Sequence, residues 1–265
     1  MVEPKPIQLK GRPVGGGAFP LICTPLVGGT RDAVLAEVEA VLPKKPDVLE
    51  WRVDFFAALG DTAHVIYTAR AVRERAGSVT VMFTRRSSLE GGEKIPLAEH
   101  EVVQLYVDVC ASRLVDLIDY ETVNAAEDFR RLRAASRENG IALIGSYHNF
   151  EETPDAGSLV AKFALAHRLE ADIAKVAVMP KGPPDVLTLL GATYAASQSL
   201  PIPLISMSMG PYGSLSRMIG FVYGSALTWA VGKSSSAPGQ VPIEDLRSVL
   251  QASIHKSTPP TETAT

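Results

Sequence analysis

The sequence predicts a single (β/α)8 barrel, the TIM-barrel fold, and three observations support this class. Short apolar runs alternate with helical patterns about eight times along the chain. The length of 265 residues is close to the roughly 250 residues of a typical barrel. The glycine fingerprint of a dinucleotide-binding sheet is missing, because Gly15-Gly16-Gly17 precedes a strand instead of following one. An open doubly wound sheet is the alternative architecture.

Each repeat pairs one apolar strand with one helical pattern. The predicted strands cover residues 21–26, 48–54, 79–86, 114–121, 141–148, 173–179, 203–209 and 225–231. The predicted helices cover 31–42, 62–76, 97–112, 125–139, 158–170, 185–197, 214–222 and 243–254. Residues 7–18 have no place in the repeat, and we predict a small hairpin that closes the barrel floor. Residues 256–265, rich in Thr and Pro, are predicted to be a disordered tail, so the catalytic barrel covers 1–255.

Composition limits the possible function classes. The net charge of −3 gives no indication of nucleic acid or an anionic membrane as a partner. Two isolated cysteines, Cys23 and Cys110, suit packing roles in a reducing cytosol, so we expect a cytoplasmic protein. No apolar run reaches the ~18 residues that span a bilayer, and residues 1–10 contain no apolar signal core. No HExxH, CxxC or P-loop pattern predicts a metal or nucleotide site.

A lysine interrupts the sixth predicted strand. Lys175 lies in the apolar run 173–179, and a lysine is rarely buried unless it is paired or reactive. Burial disfavours the ammonium form, and a neutral amine can form a Schiff base with a carbonyl substrate. The alternative is a side chain that reaches solvent or pairs with a carboxylate. The local sequence leaves both explanations open.

Charged residues alternate with apolar ones near the ends of the second and third strands. Glu50, Arg52 and Asp54 share one face by the period-2 geometry of a strand. We expect that face to point into the barrel, where active sites form at the carboxyl ends of strands. A mutually neutralising cluster is the alternative to substrate binding, above all for Asp54. In the third strand, Arg86 is predicted to share the inward face and Arg85 to lie at the surface.

Further polar residues follow the third, fourth and fifth strands. Glu90 lies in the loop after Arg86, and a local salt bridge between them is the alternative to a functional role. Asp119 and Glu121 share one face of the fourth strand. His148 ends the fifth strand, and its ordinary pKa near neutrality suits a general acid or base. A hydrogen-bonded core histidine is the competing explanation.

The seventh repeat and the loop after the eighth strand complete the predicted site. Met207 and Met209 alternate along the seventh strand, either as core filler or as the apolar wall of a pocket. Arg217 is predicted in the first turn of the next helix, an arrangement that suits an anion. Segment 234–240, which contains Ser236 and Gln240, is either a lid or a solvated linker.

Six segments at these strand ends, taken together, resemble the type I 3-dehydroquinate dehydratase family. They are Glu-Trp-Arg-Val-Asp (50–54), Arg-Ser-Ser-Leu-Glu-Gly-Gly-Glu (86–93), Ser-Tyr-His-Asn-Phe (146–150), Ala-Lys-Val-Ala-Val-Met-Pro (174–180), Ser-Met-Gly-Pro-Tyr-Gly-Ser-Leu-Ser-Arg (208–217) and Ser-Ala-Pro-Gly-Gln (236–240). The match is in order and covers about residues 20–254. Any one segment is weak, whereas six in register are highly specific.

The resemblance implies a barrel, usually a homodimer, that dehydrates 3-dehydroquinate to 3-dehydroshikimate in the shikimate pathway without a metal or an organic cofactor. It implies that Lys175 forms the Schiff base and that His148 is the general acid/base. Glu90, together with Asp119, would orient the imidazole. Substrate contacts are implied for Glu50, Arg52, Arg86, Arg217, Ser236 and Gln240.

One position departs from the family pattern, and two other functions stay open. Pro25 in the first strand lies where some relatives have a hydroxyl residue that touches substrate, so Thr24 or a backbone group would have to substitute. A Schiff-base aldolase is the first alternative, although the chain has no glycine-rich phosphate loop after the seventh and eighth strands. A catalytically silent, ligand-binding barrel is the second.

Overall fold

The computed structural model describes residues 6–17 and 19–255, and the predicted tail 256–265 lies outside them. Two short strands come first, β1 (Ile7–Leu9) and β2 (Arg12–Val14). The strands that follow are β3 (Leu21–Leu26), β4 (Val48–Arg52), β5 (Thr80–Thr84), β6 (Leu117–Glu121), β7 (Ala142–Asn149), β8 (Ile173–Val178), β9 (Leu204–Ser208), β10 (Leu227–Val231) and β11 (Val241–Pro242). The helices are α1 (Arg31–Val41), α2 (Thr62–Ala76), α3 (Glu99–Ser112), α4 (Ala126–Glu138), α5 (Ala156–Arg168), α6 (Pro183–Ser197), α7 (Gly210–Ile219) and α8 (Ile243–His255).

Strands β3 to β10 form the predicted (β/α)8 barrel. Each strand from β3 to β8 pairs in parallel with the next, and β10 pairs in parallel with β3. A parallel bridge between Leu204 and Ser225 brings the start of β9 beside the segment that enters β10. There the N–H of Ala226 donates to the carbonyl of Leu204 at 2.7 Å. The sheet therefore curls back on itself, while the short β11 adds a ninth parallel strand beside β10.

The N-terminal hairpin closes the floor of the barrel, as the sequence predicts. β1 and β2 pair antiparallel, and their buried residues Leu9 and Val14 belong to the hydrophobic cluster inside the barrel. Residues that begin several barrel strands belong to the same cluster, namely Leu21, Val48, Leu117, Ile173 and Leu227. The hairpin therefore lies at the amino ends of the parallel strands and leaves their carboxyl ends free.

The outward and inward faces of the barrel strands line two different parts of the protein interior. Their outward residues pack against the helices, and an edge-to-face series from Trp51 through Phe83 and Tyr106 to Tyr120 runs between the sheet and α3. The inward residues are apolar in the lower part of the barrel and charged toward its carboxyl end. The alternation of Glu50 and Arg52 with Trp51 thus divides the charges from the apolar face as the period-2 pattern predicts.

A repeated aspartate clamp joins neighbouring strands at the amino end of the barrel. The clamp residues Asp47, Asp116 and Asp172 immediately precede β4, β6 and β8. Each carboxylate accepts the N–H of the second residue of the preceding strand at 2.8–2.9 Å. Each also pairs with an arginine, in chain order Arg12, Arg73 and Arg133.

A serine repeats this arrangement where the barrel closes. The hydroxyl of Ser225, just before β10, accepts the N–H of Ser206 in β9 at 2.9 Å. Every second strand pair of the barrel, β3–β4, β5–β6, β7–β8 and β9–β10, is therefore tied by a side chain at the same end. The clamp satisfies strand N–H groups that would be costly to leave buried without a partner.

The seventh helix begins earlier than predicted. It starts at Gly210 directly after β9, not at residue 214, and a 3-10 turn follows over Gly220–Tyr223. Pro211 explains the shift, because proline is favoured in the first turn of a helix, where its missing N–H needs no partner. Across the described ranges, no helix combines the length and the apolar character needed to cross a bilayer.

We expect Asp172→Ala to lower the free energy of unfolding by about 2–4 kcal/mol. The change removes the paired contacts to Arg133 at 2.5 and 2.7 Å and leaves the N–H of Leu143 without its acceptor. Urea denaturation measures the effect. The exposed pair of Arg75 and Glu39 supplies the control, since Glu39→Ala should cost less than about 0.5 kcal/mol. Equal losses in the two variants would contradict the clamp.

Candidate active site

A cavity opens at the carboxyl ends of the barrel strands. Ten of the eleven side chains predicted from the sequence line it: Glu50, Arg52, Arg86, Glu90, His148, Lys175, Met207, Met209, Ser236 and Gln240. They come from strands and loops far apart in sequence, and parallel pairing brings them to one end of the barrel. The eleventh, Arg217, lies behind Met207 and contacts its sulfur.

Lys175 is buried, and two carboxylates and an aromatic ring lie close to its amine. Its Nζ donates to Asp119 Oδ2 at 2.7 Å and lies 4.0 Å from Glu50 Oε1. The same Nζ lies 4.3 Å from the ring centroid of Trp229, a cation–π geometry. The lysine is therefore paired with a carboxylate, one of the two arrangements that the sequence left open. A buried carboxylate partner also fixes where the amine points.

Asp119 is the centre of the buried charge network. It has no exposed surface, and its Oδ1 accepts from Arg86 Nη2 at 2.7 Å and from Ser146 Oγ at 2.6 Å. Burial alone would raise the pKa of Asp119, but the Arg86 and Lys175 cations hold it well below its usual range. Asp119 is thus a permanent anion that contacts the lysine. Its hydrogen bonds do not reach the imidazole of His148, which corrects the expectation that it helps Glu90 orient the ring.

His148 and Glu90 form a second buried pair. The Nδ1 atom of His148 lies 2.8 Å from Glu90 Oε2, which also accepts the backbone N–H of His148 at 3.0 Å. Burial, with the positive charges of Arg86 and Lys175, lowers the pKa of His148 well below its ordinary value. Burial also raises the pKa of Glu90 to about 8, although Arg86 opposes the shift. The imidazole is therefore neutral at neutral pH, with Nδ1 committed to Glu90.

Glu50 and Arg52 are positioned by different partners. Glu50 accepts from Thr84 Oγ1 at 3.1 Å and from Trp229 Nε1 at 2.7 Å. Arg52 donates to both oxygens of Asp54, at 2.9 and 2.7 Å. β4 ends at Arg52 and a 3-10 turn follows, so the strand alternation stops before Asp54. Asp54 therefore neutralises Arg52, which matches the structural alternative considered for it.

The two arginines after β5 are both buried. Arg86 donates from Nη1 to Glu121 Oε1 at 3.0 Å and to Ser146 Oγ at 2.9 Å, and it lies 3.6 Å from Glu90. Arg85 was predicted at the surface, and that prediction is wrong. Its side chain is 3% exposed and pairs with Glu99 of α3. A carboxylate on the neighbouring helix explains this burial, and local sequence does not reveal such a partner.

Arg217 lies in the last turn of α7, not in its first turn as predicted, because the helix begins at Gly210. The guanidinium is buried, with Nη1 3.3 Å from Met207 Sδ and Nη2 donating to the carbonyl of Pro238 at 3.2 Å. Within residues 6–17 and 19–255, no carboxylate forms a salt bridge with it. Burial lowers the pKa of Arg217 to about 10. A buried cation without an anionic partner is complementary to an anionic ligand.

The loop 234–240 is held in place over the cavity. The hydroxyl of Ser234 donates to Glu37 of α1 at 2.9 Å, and the N–H of Gly210 donates to the carbonyl of Pro238 at 3.2 Å. Gly239 has φ +78°, and a Cβ there would lie 2.3 Å from the carbonyl oxygen of Gly210. The loop therefore packs on the start of α7, which brings Ser236 and Gln240 to the cavity wall.

Sequence reasoning missed Trp229 and Phe150, which also line the cavity. Trp229 follows Leu227 at period 2 in β10, so alternation could have placed it on the inward face. It is apolar, however, and only polar residues stand out against the hydrophobic run expected of a barrel strand.

Neither Pro25 nor Thr24 lines the cavity. Thr24 alternates to the outward face, where Gly232 approaches its hydroxyl, so it does not substitute for the contact absent at Pro25.

These features define a class of proteins, the (β/α)8 barrels with a polar cavity at the carboxyl ends of their strands, here around a buried lysine. Comparison with known proteins narrows the class. Residues 22–257 match the family model of type I 3-dehydroquinase. The chain therefore belongs to the type I 3-dehydroquinase family.

Individual relatives agree with this assignment. The chain is 60% identical over 250 residues to the 3-dehydroquinate dehydratase of Albidiferax ferrireducens, a match that covers 94% of this chain and 95% of that protein. The crystal structure of 3-dehydroquinate dehydratase from Geobacillus kaustophilus superposes with a TM-score of 0.94 at 46% identity, covering 97% of this chain and 99% of that one. The type I enzyme from Clostridium difficile, solved with covalent modified comenic acid, gives a TM-score of 0.91 at 34% identity and covers 96% and 99%.

Proposed function

We propose that this protein is a 3-dehydroquinate dehydratase that converts 3-dehydroquinate into 3-dehydroshikimate and water through a Schiff base on Lys175. The observation that carries the proposal is the buried amine of Lys175 in the same cavity as a histidine that burial keeps neutral. Family membership supports the substrate. The covalent modified ligand in the Clostridium difficile relative supports covalent chemistry in a fold of this kind.

The reaction begins at the amine. Lys175 attacks the ring ketone as the neutral amine, which Asp119 keeps aimed into the cavity, and the proton given up by its ammonium form passes to the hydroxyl of the first adduct, which leaves as water. Loss of water from the first adduct gives an iminium linked to the lysine. The iminium withdraws electrons from the ring, so the neighbouring C–H bond becomes acidic, and no metal or organic cofactor is required for this activation.

His148 moves the protons in the next steps. With Nδ1 held by Glu90, its Nε2 can accept the proton from the activated carbon and then deliver it to the hydroxyl on the adjacent carbon. That hydroxyl leaves as water and a carbon–carbon double bond forms. Hydrolysis of the iminium returns the ketone, now conjugated, and restores the free amine of Lys175.

The remaining groups fix the substrate. Arg217, which has no carboxylate partner among the described residues, offers its guanidinium to the substrate carboxylate. Glu50, Arg86 and Gln240 are assigned to the ring hydroxyls. Arg52 and Ser236 are assigned to further substrate contacts, and the side chains of Met207 and Met209 supply the apolar wall. We further propose a role in the shikimate pathway of aromatic amino-acid biosynthesis, in the cytoplasm.

Borohydride reduction tests the Schiff base directly. In the presence of 3-dehydroquinate, the wild type should gain a covalent adduct that peptide mass spectrometry places on Lys175. Lys175→Ala should lose adduct and turnover together. His148→Ala should lose turnover by ~10²–10⁴-fold and keep some adduct, because proton transfer and imine formation use different groups.

Lys162→Ala is the matched control, since Lys162 lies on α5 over the ring of Tyr147 and outside the cavity. It should keep both adduct and turnover, the latter followed as the ultraviolet absorbance of the enone product. An unmodified Lys175 peptide in the active wild type would rule out the Schiff base. If the wild type cleaves a substrate by retro-aldol chemistry without dehydrating 3-dehydroquinate, an aldolase is favoured. If it binds 3-dehydroquinate without turnover, a catalytically silent barrel is favoured.

The paired titration of Glu90 and His148 predicts a pH dependence. While Glu90 is protonated, it donates to Nδ1, so Nε2 carries hydrogen and cannot accept a proton. Loss of that proton frees Nε2, so kcat/KM should rise with pH through a value of about 8, the pKa of Glu90.

In Glu90→Gln the amide accepts from Nδ1 at every pH, and only protonation of His148 itself limits the reaction. The rise should therefore move below the ordinary histidine pKa, since burial lowers the pKa of His148, and the plateau should fall. Glu74→Gln, on the exposed side of α2, should leave the profile unchanged. A rise at the same pH in Glu90→Gln and wild type would contradict the coupling.

Trp229 is expected to position Glu50 and Lys175 separately. Trp229→Phe keeps an aromatic face beside Nζ but removes the donor to Glu50 Oε2. We expect a several-fold rise in KM with adduct formation preserved, because Glu50 is assigned to a ring hydroxyl. Trp229→Leu also removes the ring face and should slow adduct formation. Identical kinetics in both variants would show that the two contacts are not separable.

A further inference from the structure

A glutamate lies on the apolar side of α1. Val34, Val38 and Val41 are buried against the barrel, and a spacing of three and four residues places Glu37 on the same side of the helix. The glutamate is only 5% exposed. A buried carboxylate is costly unless donors surround it, so the contacts of Glu37 must account for its position.

Glu37 binds two loops at once. Its Oε2 accepts the backbone N–H groups of Val27 and Gly28, at 2.6 and 3.0 Å, in the loop after β3. Its Oε1 accepts the hydroxyl of Ser234 at 2.9 Å, in the loop after β10. These loops follow neighbouring strands, because β10 pairs with β3 where the barrel closes. One side chain therefore joins the loops on the two sides of the closure.

The backbone on both sides of this link packs closely on α1. A Cβ on Gly28 would lie 2.4 Å from the backbone nitrogen of Val34. A Cβ on Gly232, two residues before Ser234, would lie 2.4 Å from a methyl carbon of Val41. Such close approaches leave no room for a side chain at either glycine. The helix is thus a fixed platform, which Glu37 extends to the loop 234–240.

The part of the loop that lines the cavity is bonded to itself. Gln240 Oε1 accepts the hydroxyl of Ser235 at 3.1 Å and the N–H of Ser236 at 3.3 Å, and Gln240 Nε2 donates to Ser236 Oγ at 3.3 Å. Ser236 and Gln240 therefore keep their places relative to each other. Their place relative to the cavity depends on how the loop is attached, through Glu37 on one side and through Pro238 and α7 on the other.

We propose that Glu37 is a positioning residue for substrate binding, which acts through Ser234 on Ser236 and Gln240. This role rests on the proposed function, in which those two side chains contact the substrate. Glu37 does not itself line the cavity, so its effect is on how tightly the substrate is held and not on proton transfer. A role confined to bracing the loop after β3 would need only the two N–H contacts.

Ser234→Ala tests the link, because it removes the hydroxyl and leaves the contacts of Glu37 with the loop after β3. We expect KM for 3-dehydroquinate to rise about three- to tenfold, the effect of one lost hydrogen bond. The kcat and the borohydride adduct on Lys175 at saturating substrate should stay unchanged. Glu37→Ala should raise KM at least as much, and adding Ser234→Ala to it should have no further effect, because the link is already broken.

Glu37→Gln is the conservative variant. Its carbonyl can accept the N–H groups of Val27 and Gly28 while its NH2 group donates to Ser234 Oγ, so KM should stay within about twofold of the wild type. Ser248→Ala is the matched control, since that hydroxyl is on an exposed residue of α8 and donates to the carbonyl of Glu244. It should leave KM unchanged.

Hydrogen–deuterium exchange of the ligand-free protein measures the anchoring without substrate. Peptides that contain residues 233–240 should exchange faster in Ser234→Ala than in the wild type, Glu37→Gln and Ser248→Ala, at an equal melting temperature. Equal exchange in Ser234→Ala and the wild type would overturn the proposal, as would faster exchange with an unchanged KM. Effects on KM that multiply in the double variant would overturn it too.

Failure of the proposed function gives a different result. A wild type that does not turn over 3-dehydroquinate would overturn the proposed function, and with it the role of Glu37 in binding that substrate. Faster exchange in Ser234→Ala would still show that Glu37 anchors the loop.

Discussion

The structure depends on the compensation of charges that are buried inside the barrel. Asp119 has no exposed surface, and it is stable there as an anion because Lys175 and Arg86 contact it at 2.7 Å each. Removing one member of such a network leaves a buried charge alone, at a cost of about 3–5 kcal/mol. The polar side chains at the strand ends therefore depend on one another, because each buried charge is stabilised by the charges that contact it.

The same compensation produces chemical reactivity. Burial, together with the cations of Arg86 and Lys175, keeps the imidazole of His148 neutral, and Glu90 holds its orientation. Arg217 is the exception to the compensation, since no carboxylate of the described residues pairs with it and its pKa is lowered by burial. We propose the substrate carboxylate as the partner of this guanidinium.

The amino end of the barrel stabilises the fold, and the carboxyl end carries the candidate active site. At the amino end, the aspartate clamps and the hairpin satisfy backbone groups and fill the floor. At the carboxyl end, the same strands present charged side chains to the cavity. Strands held at one end provide a rigid support, and only a rigid support keeps Lys175 and His148 in a fixed relation.

The sequence by itself determined the repeat of strands and helices, the inward side of each strand and the residue types of the site. Those features follow from local periodicity and from charges in hydrophobic runs, as Glu50, Lys175 and His148 illustrate. Only the tertiary structure decided which charges pair. Arg85 is buried against Glu99, Arg217 lies behind Met207 at the end of its helix, and Asp119 contacts the lysine and not the histidine. Trp229, an apolar residue in an apolar strand, gave no local signal. Pairing depends on distances between strands far apart in the chain, and no local pattern contains those distances.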